Sequence, residues 1–171
     1  MHMITNWRRY LAAATVLAAL GVGAAQPAAA TTVISDYGYW TSVVDSDGSG
    51  QRICGVRTQM RGGGELRLMV IGGKVHLVAR HPDWSMRSGE TVRVAVAVDG
   101  DMFRGDANVL DGQTLVVMGL SRDFLDEFID GSRMEANFGG VRWSVNLAGT
   151  SRATSDMGAC LAATRRPEMM S

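Results

Sequence analysis

Hydrophobic and polar residues alternate along several short segments of the chain, and glycine separates one segment from the next. The clearest alternation covers 91–98, where every second position is valine, so one face of this predicted strand is wholly apolar. Segments 65–70 and 74–80 flank Gly72-Gly73, which is typical of a β-hairpin. The pattern predicts an all-β fold, an antiparallel sandwich or barrel of about eight or nine strands.

Two segments near the C-terminal end have helical rather than strand periodicity. Arg122–Asp130 follows Ser121, a residue type that caps helices, and precedes Gly131. The second segment covers 151–163 and carries Cys160 on its apolar face. The apolar strand faces and the stripe of the first helix give the predicted core, which comprises Trp40, Ile53, Val56, Leu66, Leu68, Val75, Leu77, Val92, Val94, Val96, Val98, Leu115, Val117, Phe124, Phe128, Val145 and Leu147.

The first thirty residues have the layout of a secretory signal peptide. Arg8-Arg9 precede an uncharged apolar run over 11–25, and small residues at 28–30 suit a cleavage site. Both the general secretory and the twin-arginine routes are open. We expect a signal peptide over 1–30, a single β-rich domain over 31–164 and a frayed tail over 165–171. The predicted location is the periplasm or the medium outside a bacterial cell.

Composition narrows the classes of partner. The chain has 17 basic and 17 acidic side chains, so its formal net charge is zero. Such a chain gives no electrostatic reason to expect nucleic acid or an anionic membrane surface. No segment after the signal peptide is long and apolar enough to predict a transmembrane span.

The two cysteines, Cys54 and Cys160, favour a structural disulfide, because an even number in an exported chain usually pairs. A redox site and a metal site are the alternatives. A redox pair is more usually a C-x-x-C, and zinc needs further ligands close by. A bridge that closes a loop of about 100 residues is worth roughly 4–5 kcal/mol in chain-entropy terms.

Two groups of residues resemble metal sites. The segment 45–50, Asp-Ser-Asp-Gly-Ser-Gly, matches the first half of a calcium loop, but Val56 stands where the loop needs a bidentate glutamate. This segment is better interpreted as a hairpin turn. His76 and His81 with Asp83 are too far apart along a strand end to predict a metal centre. No cofactor is predicted.

Catalytic motifs are weak as well. There is no G-x-S-x-G, and the run Gly62-Gly63-Gly64 lacks the Lys-Ser/Thr of a phosphate loop. Asp99 and Asp101 flank a glycine, so we interpret them as hairpin-turn residues rather than an acid–base pair.

Aromatic residues suggest an interface. Tyr37 and Tyr39 lie near the start of the predicted domain, and Trp84 lies in a loop. Tyrosine and tryptophan are enriched in protein interfaces, so Trp84, Tyr37 and Tyr39 are the candidate contact residues. The alternative is that Trp40 and Trp143 are core residues and that Tyr37 packs over a sheet edge.

The order of elements resembles that of secreted proteins related to invasion-associated locus B, a family of α-proteobacteria. The shared features are the signal peptide, a tryptophan strand at Trp40, Cys54, the loop 82–84, the strand end 98–100, the helix with 124–128, the stretch 143–149 and an Ala-rich last helix. Many members carry further cysteines in mid-domain, whereas this chain has none between Cys54 and Cys160. The resemblance implies a small exported β-domain, associated in some members with host-cell contact, and no catalytic residue set.

Together these observations predict a non-enzymatic, disulfide-stabilised exported protein that acts through contacts with a protein partner of unknown identity. A carrier that holds a small ligand inside a barrel is one alternative, and a hydrolase with an unrecognised site is another. The carrier requires an apolar cavity of some hundreds of Å³. The hydrolase requires a cleft with convergent titratable groups.

Overall fold

Ten strands and two helices make up the part of the chain that the computed structural model describes, residues 31–47, 49–138 and 140–164. The predicted signal peptide and C-terminal tail lie outside these residues. In chain order the elements are β1 Thr32–Asp36, β2 Thr41–Ser46, β3 Arg52–Gln59, β4 Glu65–Ile71, β5 Lys74–Arg80, β6 Thr91–Val98, β7 Asp101–Asp111, β8 Thr114–Met118, α1 Arg122–Asp130, β9 Arg133–Phe138, β10 Val141–Asn146 and α2 Thr150–Thr164.

All ten strands belong to one antiparallel sheet with the order β1-β2-β3-β4-β5-β8-β7-β6-β9-β10. The predicted all-β antiparallel fold with two short helices near the C-terminal end is therefore confirmed, with ten strands instead of eight or nine. The sheet is not closed, since β1 and β10 are its two edges. It curls far enough for these ends to approach, because the indole Nε1 of Trp40 donates to the carbonyl of Asn146 over 2.8 Å.

The β6–β7 turn shows how short polar residues fix the register of a hairpin. Asp99 and Gly100 both have positive φ angles, +47° and +108°, as tight two-residue hairpins require. The Asp99 carboxylate also accepts hydrogen bonds from the backbone amides of Ser132 (2.7 Å) and Arg133 (2.9 Å). The turn is thereby attached to the start of β9, the next neighbour of β6.

Aromatic side chains fill the centre of the core. Phe128 of α1 meets Trp40 edge to face, with ring centroids 5.2 Å apart. The predicted core residues are buried except for Ile53, Val75 and Val92, which are only partly buried. Ile53 differs because it alternates with the buried Cys54 and Val56 along β3, and its side chain therefore lies on the opposite face.

Both helices pack on the core face of the sheet. Ser121 caps α1, since its Oγ accepts from the amide of Phe124 over 3.1 Å, as its sequence position predicts. Helix α2 lies against β2, β3 and α1. No helix among the described residues is long and apolar enough to cross a membrane.

Candidate binding cleft between β7 and β8

The neighbouring strands β7 and β8 differ in length, and this difference opens a cleft in the sheet. Pairing between them runs from Ala107 opposite Val117 to Asp111 opposite Thr114. Strand β8 ends at Met118, and the chain then turns away towards α1. Among the strands that the structure describes, residues 101–106 of β7 therefore pair only with β6. This half of β7 therefore has an unpaired edge, although β7 lies between β8 and β6 in the sheet.

The register of β6 and β7 fixes which backbone groups face the cleft. Val98 and Asp101 close the two-residue turn, and in an antiparallel ladder every second residue exchanges hydrogen bonds with the partner strand. The amides and carbonyls of the intervening residues, Met102, Arg104 and Asp106, therefore point away from β6. They form a row of alternating donors and acceptors at the mouth of the cleft.

The floor of the cleft is apolar. The cavity has a volume of about 370 Å³, and its floor is made by Leu77, Val94, Val96, Phe103, Val117 and Phe124. Gly105 lies opposite Val94, so it faces inward, and a Cβ there would meet nothing within 4 Å. The missing side chain leaves part of the space open. Met102 and Met118 flank the mouth with 54% and 57% of their surfaces exposed.

The polar side chains of the residues that line the cleft either lie on the outer face of the sheet or are already engaged. Arg104 and Asp106 alternate with the inward-facing Phe103 and Gly105, so their side chains lie on the outer face of the sheet. Ser121 also lines the cleft, but its Oγ already accepts the Phe124 amide as the helix cap. The lining residues thus contain no nucleophile–base pair.

The predicted disulfide is present between Cys54 of β3 and Cys160 of α2, whose Cα atoms are 6.0 Å apart. Close by, Ser42 Oγ donates to the carbonyl of Ala153 over 3.1 Å. The last helix is thus held on the sheet by one covalent bond and by polar contacts along the same face.

Tyr37 and Tyr39 lie together, but they differ in exposure. Tyr37 is half-buried, and its hydroxyl donates to Asp156 Oδ2 over 2.7 Å. This hydrogen bond is the main reason why the pKa of Tyr37 is raised and the pKa of the Asp156 carboxyl is lowered. Tyr39 has 58% of its surface exposed. Both line a shallow groove beside α2.

Trp84, a candidate contact residue because of its loop position, is buried, with 7% of its surface exposed. Its ring stacks on Trp143 at 5.5 Å. The loop is held against the β7–β8 turn, because the His81 amide donates to the Gln113 carbonyl (3.0 Å) and the Met86 amide to the Gly112 carbonyl (3.0 Å). A large apolar ring on a fixed loop gains more by burial than by exposure. Whether Tyr37, Tyr39 or Trp84 contacts a partner stays a prediction.

The two histidines are placed apart. His76 is buried in β5, whereas His81 follows the end of that strand, about 16 Å farther along at the usual rise per residue. His81 Nδ1 accepts from the amide of Asp83 over 3.2 Å. Among the residues that the structure describes, no group of three or more potential ligands could hold a metal ion.

The turn that begins at Asp47 connects β2 with β3, as the hairpin interpretation of 45–50 predicts. Asp47 Oδ1 accepts from the amides of Ser49 (2.9 Å) and Gln51 (2.8 Å), so it holds the turn together. Hydrogen bonding, first from the Ser49 hydroxyl, also lowers the pKa of Asp47. Asp45 belongs to β2 and pairs instead with Arg67 of β4, at 2.9 Å.

The cleft itself was not predicted from the sequence, although most residues of its floor belong to the predicted core. The available signal was Gly105, because a glycine inside a strand marks a bulge or a place where a ligand or another backbone approaches. Its neighbours in the sequence carry no signal that the partner strand ends early.

Comparisons with models of protein families, with curated proteins and with solved structures found no match. Function is therefore inferred from the geometry of the chain itself.

Proposed function

We propose that this protein is a non-enzymatic binding protein that accepts an extended apolar segment of a partner protein in the cleft between β7 and β8. The observation that carries this proposal is the coincidence of a free strand edge with an apolar cavity of about 370 Å³. A strand added here would form hydrogen bonds with the free backbone groups of β7, and its side chains would fill the cavity.

The backbone of the partner supplies the part of the affinity that does not depend on the partner's sequence. A strand that lies along residues 101–106 pairs with the free groups of Met102, Arg104 and Asp106. Unpaired edges of this kind readily accept another strand.

The side chains of the partner supply the specificity. They alternate between the two faces of the sheet, so every second one enters the cavity beside Phe103 and Gly105. The apolar floor selects aliphatic or aromatic side chains at these positions. The open space beside Gly105 admits a larger one.

A small apolar ligand is the second candidate, because the same cavity lies within the usual range of small-molecule sites, about 300–1,000 Å³. Such a ligand would use the floor of the cleft and leave the edge of β7 unpaired. The absence of a nucleophile–base pair among the lining residues gives a hydrolase no support.

The proposed site of action is the periplasm or the exterior of the cell. The Cys54–Cys160 disulfide supports this location, because such bonds persist in oxidising compartments. Contact with a host cell, which the resemblance to the invasion-associated locus B family implies, belongs to the same proposal.

Selection from a displayed library of random octapeptides tests the strand-binding function. We expect the recovered peptides to carry apolar residues at alternate positions. They should bind the Gly105→Leu variant at least about tenfold more weakly, a difference of 1.4 kcal/mol, because leucine fills the cavity. Gly158→Leu is the matched control, since Gly158 also has open space around it but lies on the exposed surface of α2.

A proline at Arg104 separates the two candidate functions. Arg104→Pro removes one amide from the free edge, and proline is tolerated at strand edges. It should weaken the selected peptides while the binding of an apolar dye such as 1-anilinonaphthalene-8-sulfonate stays unchanged; Arg104→Ala, which keeps the amide, is the control. Peptides that bind the proline variant normally would show that the edge is not used, and the carrier function would be favoured.

A further inference from the structure

The open end of the sheet has a second free edge, on β10. Within the described part of the chain, this strand pairs with β9 alone. Opposite it lies the end of β3, and between them runs a groove of about 510 Å³, which we call the seam. The seam is lined by Tyr39, by residues 58–61 and by residues 142–146.

Two hydrogen bonds show which backbone groups of β10 face the seam. The Leu147 amide donates to the Ser132 carbonyl on the β9 side (3.0 Å), whereas the Asn146 carbonyl accepts the Trp40 indole on the other side. Hydrogen bonding alternates along an antiparallel strand, so Arg142 and Ser144 share the orientation of Asn146. Their amides and carbonyls point into the seam, away from β9.

The seam is also positively charged. Arg61 and Arg142 line it, and neither takes part in an ion pair among the described residues. The carboxylates of the adjacent strands are already engaged. On β4, Glu65 contacts Arg67 of the same strand and Arg57 and Gln59 of β3. On β9, Glu135 contacts Arg133 at 3.0 Å.

Side-chain alternation places the charge on one face of the seam. Arg142 and Ser144 are exposed on the outer face, whereas Trp143 and Val145 turn inward and are buried. A strand added to β10 would therefore set acidic side chains beside Arg142 on the outer face. Its apolar side chains would lie over Trp143 and Val145. Tyr39, largely exposed at the same groove, offers a flat surface to either kind of side chain.

We propose that the seam binds an acidic extended segment of a partner protein as an eleventh strand on β10. The charge of Arg61 and Arg142 selects carboxylates, and the free edge selects a strand over a simple anion, because only a peptide backbone matches alternating donors and acceptors. Trp40 occupies the Asn146 carbonyl, so the added strand is short and pairs mainly along 141–145. This site is separate from the β7–β8 cleft and differs from it in charge.

A labelled octapeptide of alternating glutamate and valine is the probe, and the same peptide with glutamine in place of glutamate is its control. We expect the acidic peptide to bind the purified, disulfide-bonded protein at least about tenfold more tightly than the control. The Arg61→Gln/Arg142→Gln variant should lose most of that preference and of the salt dependence of binding. Arg52→Gln, at the opposite end of β3, should leave both unchanged.

Two further measurements test the strand pairing itself. The bound acidic peptide should slow hydrogen exchange at the Arg142 and Ser144 amides, and Ser144→Pro should weaken binding several-fold with an unchanged melting temperature. Competition by inorganic phosphate at a concentration equal to that of the peptide would overturn the proposal, because it would indicate an anion site without a strand. Equal binding of the glutamine peptide would overturn it as well.

Failure of this proposal is distinguishable from failure of the proposed cleft function. Gly105→Leu blocks the cleft and leaves the seam intact, so it should bind the acidic octapeptide like the wild type. Loss of acidic-peptide binding in Gly105→Leu would place the peptide in the cleft and overturn the seam site.

Discussion

The phenol of Tyr37 reaches the Asp156 carboxylate over 2.7 Å and thereby joins the start of the domain to its last helix. Ser42 adds a second, longer contact to the same oxygen, at 3.4 Å. Hydrogen bonds to the charged carboxylate lower its pKa, and the loss of this bond on ionisation of the phenol raises the pKa of Tyr37. The hydrogen bond is therefore weakened at acidic pH, where Asp156 becomes protonated, and at strongly alkaline pH, where Tyr37 ionises.

We predict that Tyr37→Phe lowers the free energy of unfolding most at neutral pH. A lowered carboxylate pKa gives stability above the ordinary value of about 3.9, which is lost as the pH falls through the folded-state pKa. A raised tyrosine pKa gives stability below about pH 10, which is lost as the pH rises through the folded-state pKa. The difference between wild type and Tyr37→Phe should thus shrink towards both extremes in urea unfolding. Tyr39→Phe, at an exposed position, should follow the wild type, and a pH-independent difference would contradict the assignment.

Trp84 shows that a loop position does not imply exposure. It stacks on Trp143 beside His81, and its Nε1 is buried without a hydrogen-bond partner among the described residues. Its side chain therefore contributes to the fold through packing.

Trp84→Ala should therefore lower the free energy of unfolding by about 3–5 kcal/mol, the usual cost of removing a buried aromatic side chain. Trp84→Phe keeps much of the packing and removes the unpaired N–H, so it should cost less. Chemical denaturation gives both values, with Tyr39→Ala as the exposed aromatic control, expected within about 0.5 kcal/mol of the wild type. A wild-type-like Trp84→Ala variant would show that the ring does not belong to the core.

At the level of elements, the hairpins were predictable because their signals are local. Gly72-Gly73 predicted the β4–β5 turn, and the valine alternation predicted β6 together with its buried face. The lengths of β7 and β8 were not predictable. The structure has Asp101–Asp111 beside Thr114–Met118, eleven residues beside five. The pattern of one strand contains no information about where its neighbour ends, and the cleft depends on that difference.

Helix α2 depends on the disulfide more than α1 does, because it carries Cys160 and its other buried side chains are mostly small or polar, whereas α1 buries two phenylalanines. We predict that Cys54→Ala/Cys160→Ala lowers the free energy of unfolding by about 2–5 kcal/mol. Hydrogen exchange should increase first in α2, while the β6–β7 hairpin stays protected. Dithiothreitol should destabilise the wild type and leave the double variant unchanged; equal stability of the two proteins would show that the bond adds nothing to the docking of α2.

For the whole molecule, the fold class followed from strand patterning, but the order of strands did not. Neighbours in the sheet are mostly neighbours in sequence; the exceptions are β5 with β8 and β6 with β9. Because of these two pairings, β8, β7 and β6 follow β5 in the sheet in the reverse of their chain order. Such pairings depend on the burial of side chains from distant segments. The seam has the same origin, because Tyr39, Arg61 and Arg142 come from three separate parts of the chain.

The separation of 106 residues between Cys54 and Cys160 has a consequence for the order in which the protein matures. During synthesis, or during passage through a pore with the N-terminus first, Cys54 emerges long before its partner. Strands β1–β5 pair consecutively, so they can assemble around Cys54 while its thiol is still free. The native bond can form only after Cys160 of α2 has emerged, so its presence distinguishes such a chain from every shorter intermediate.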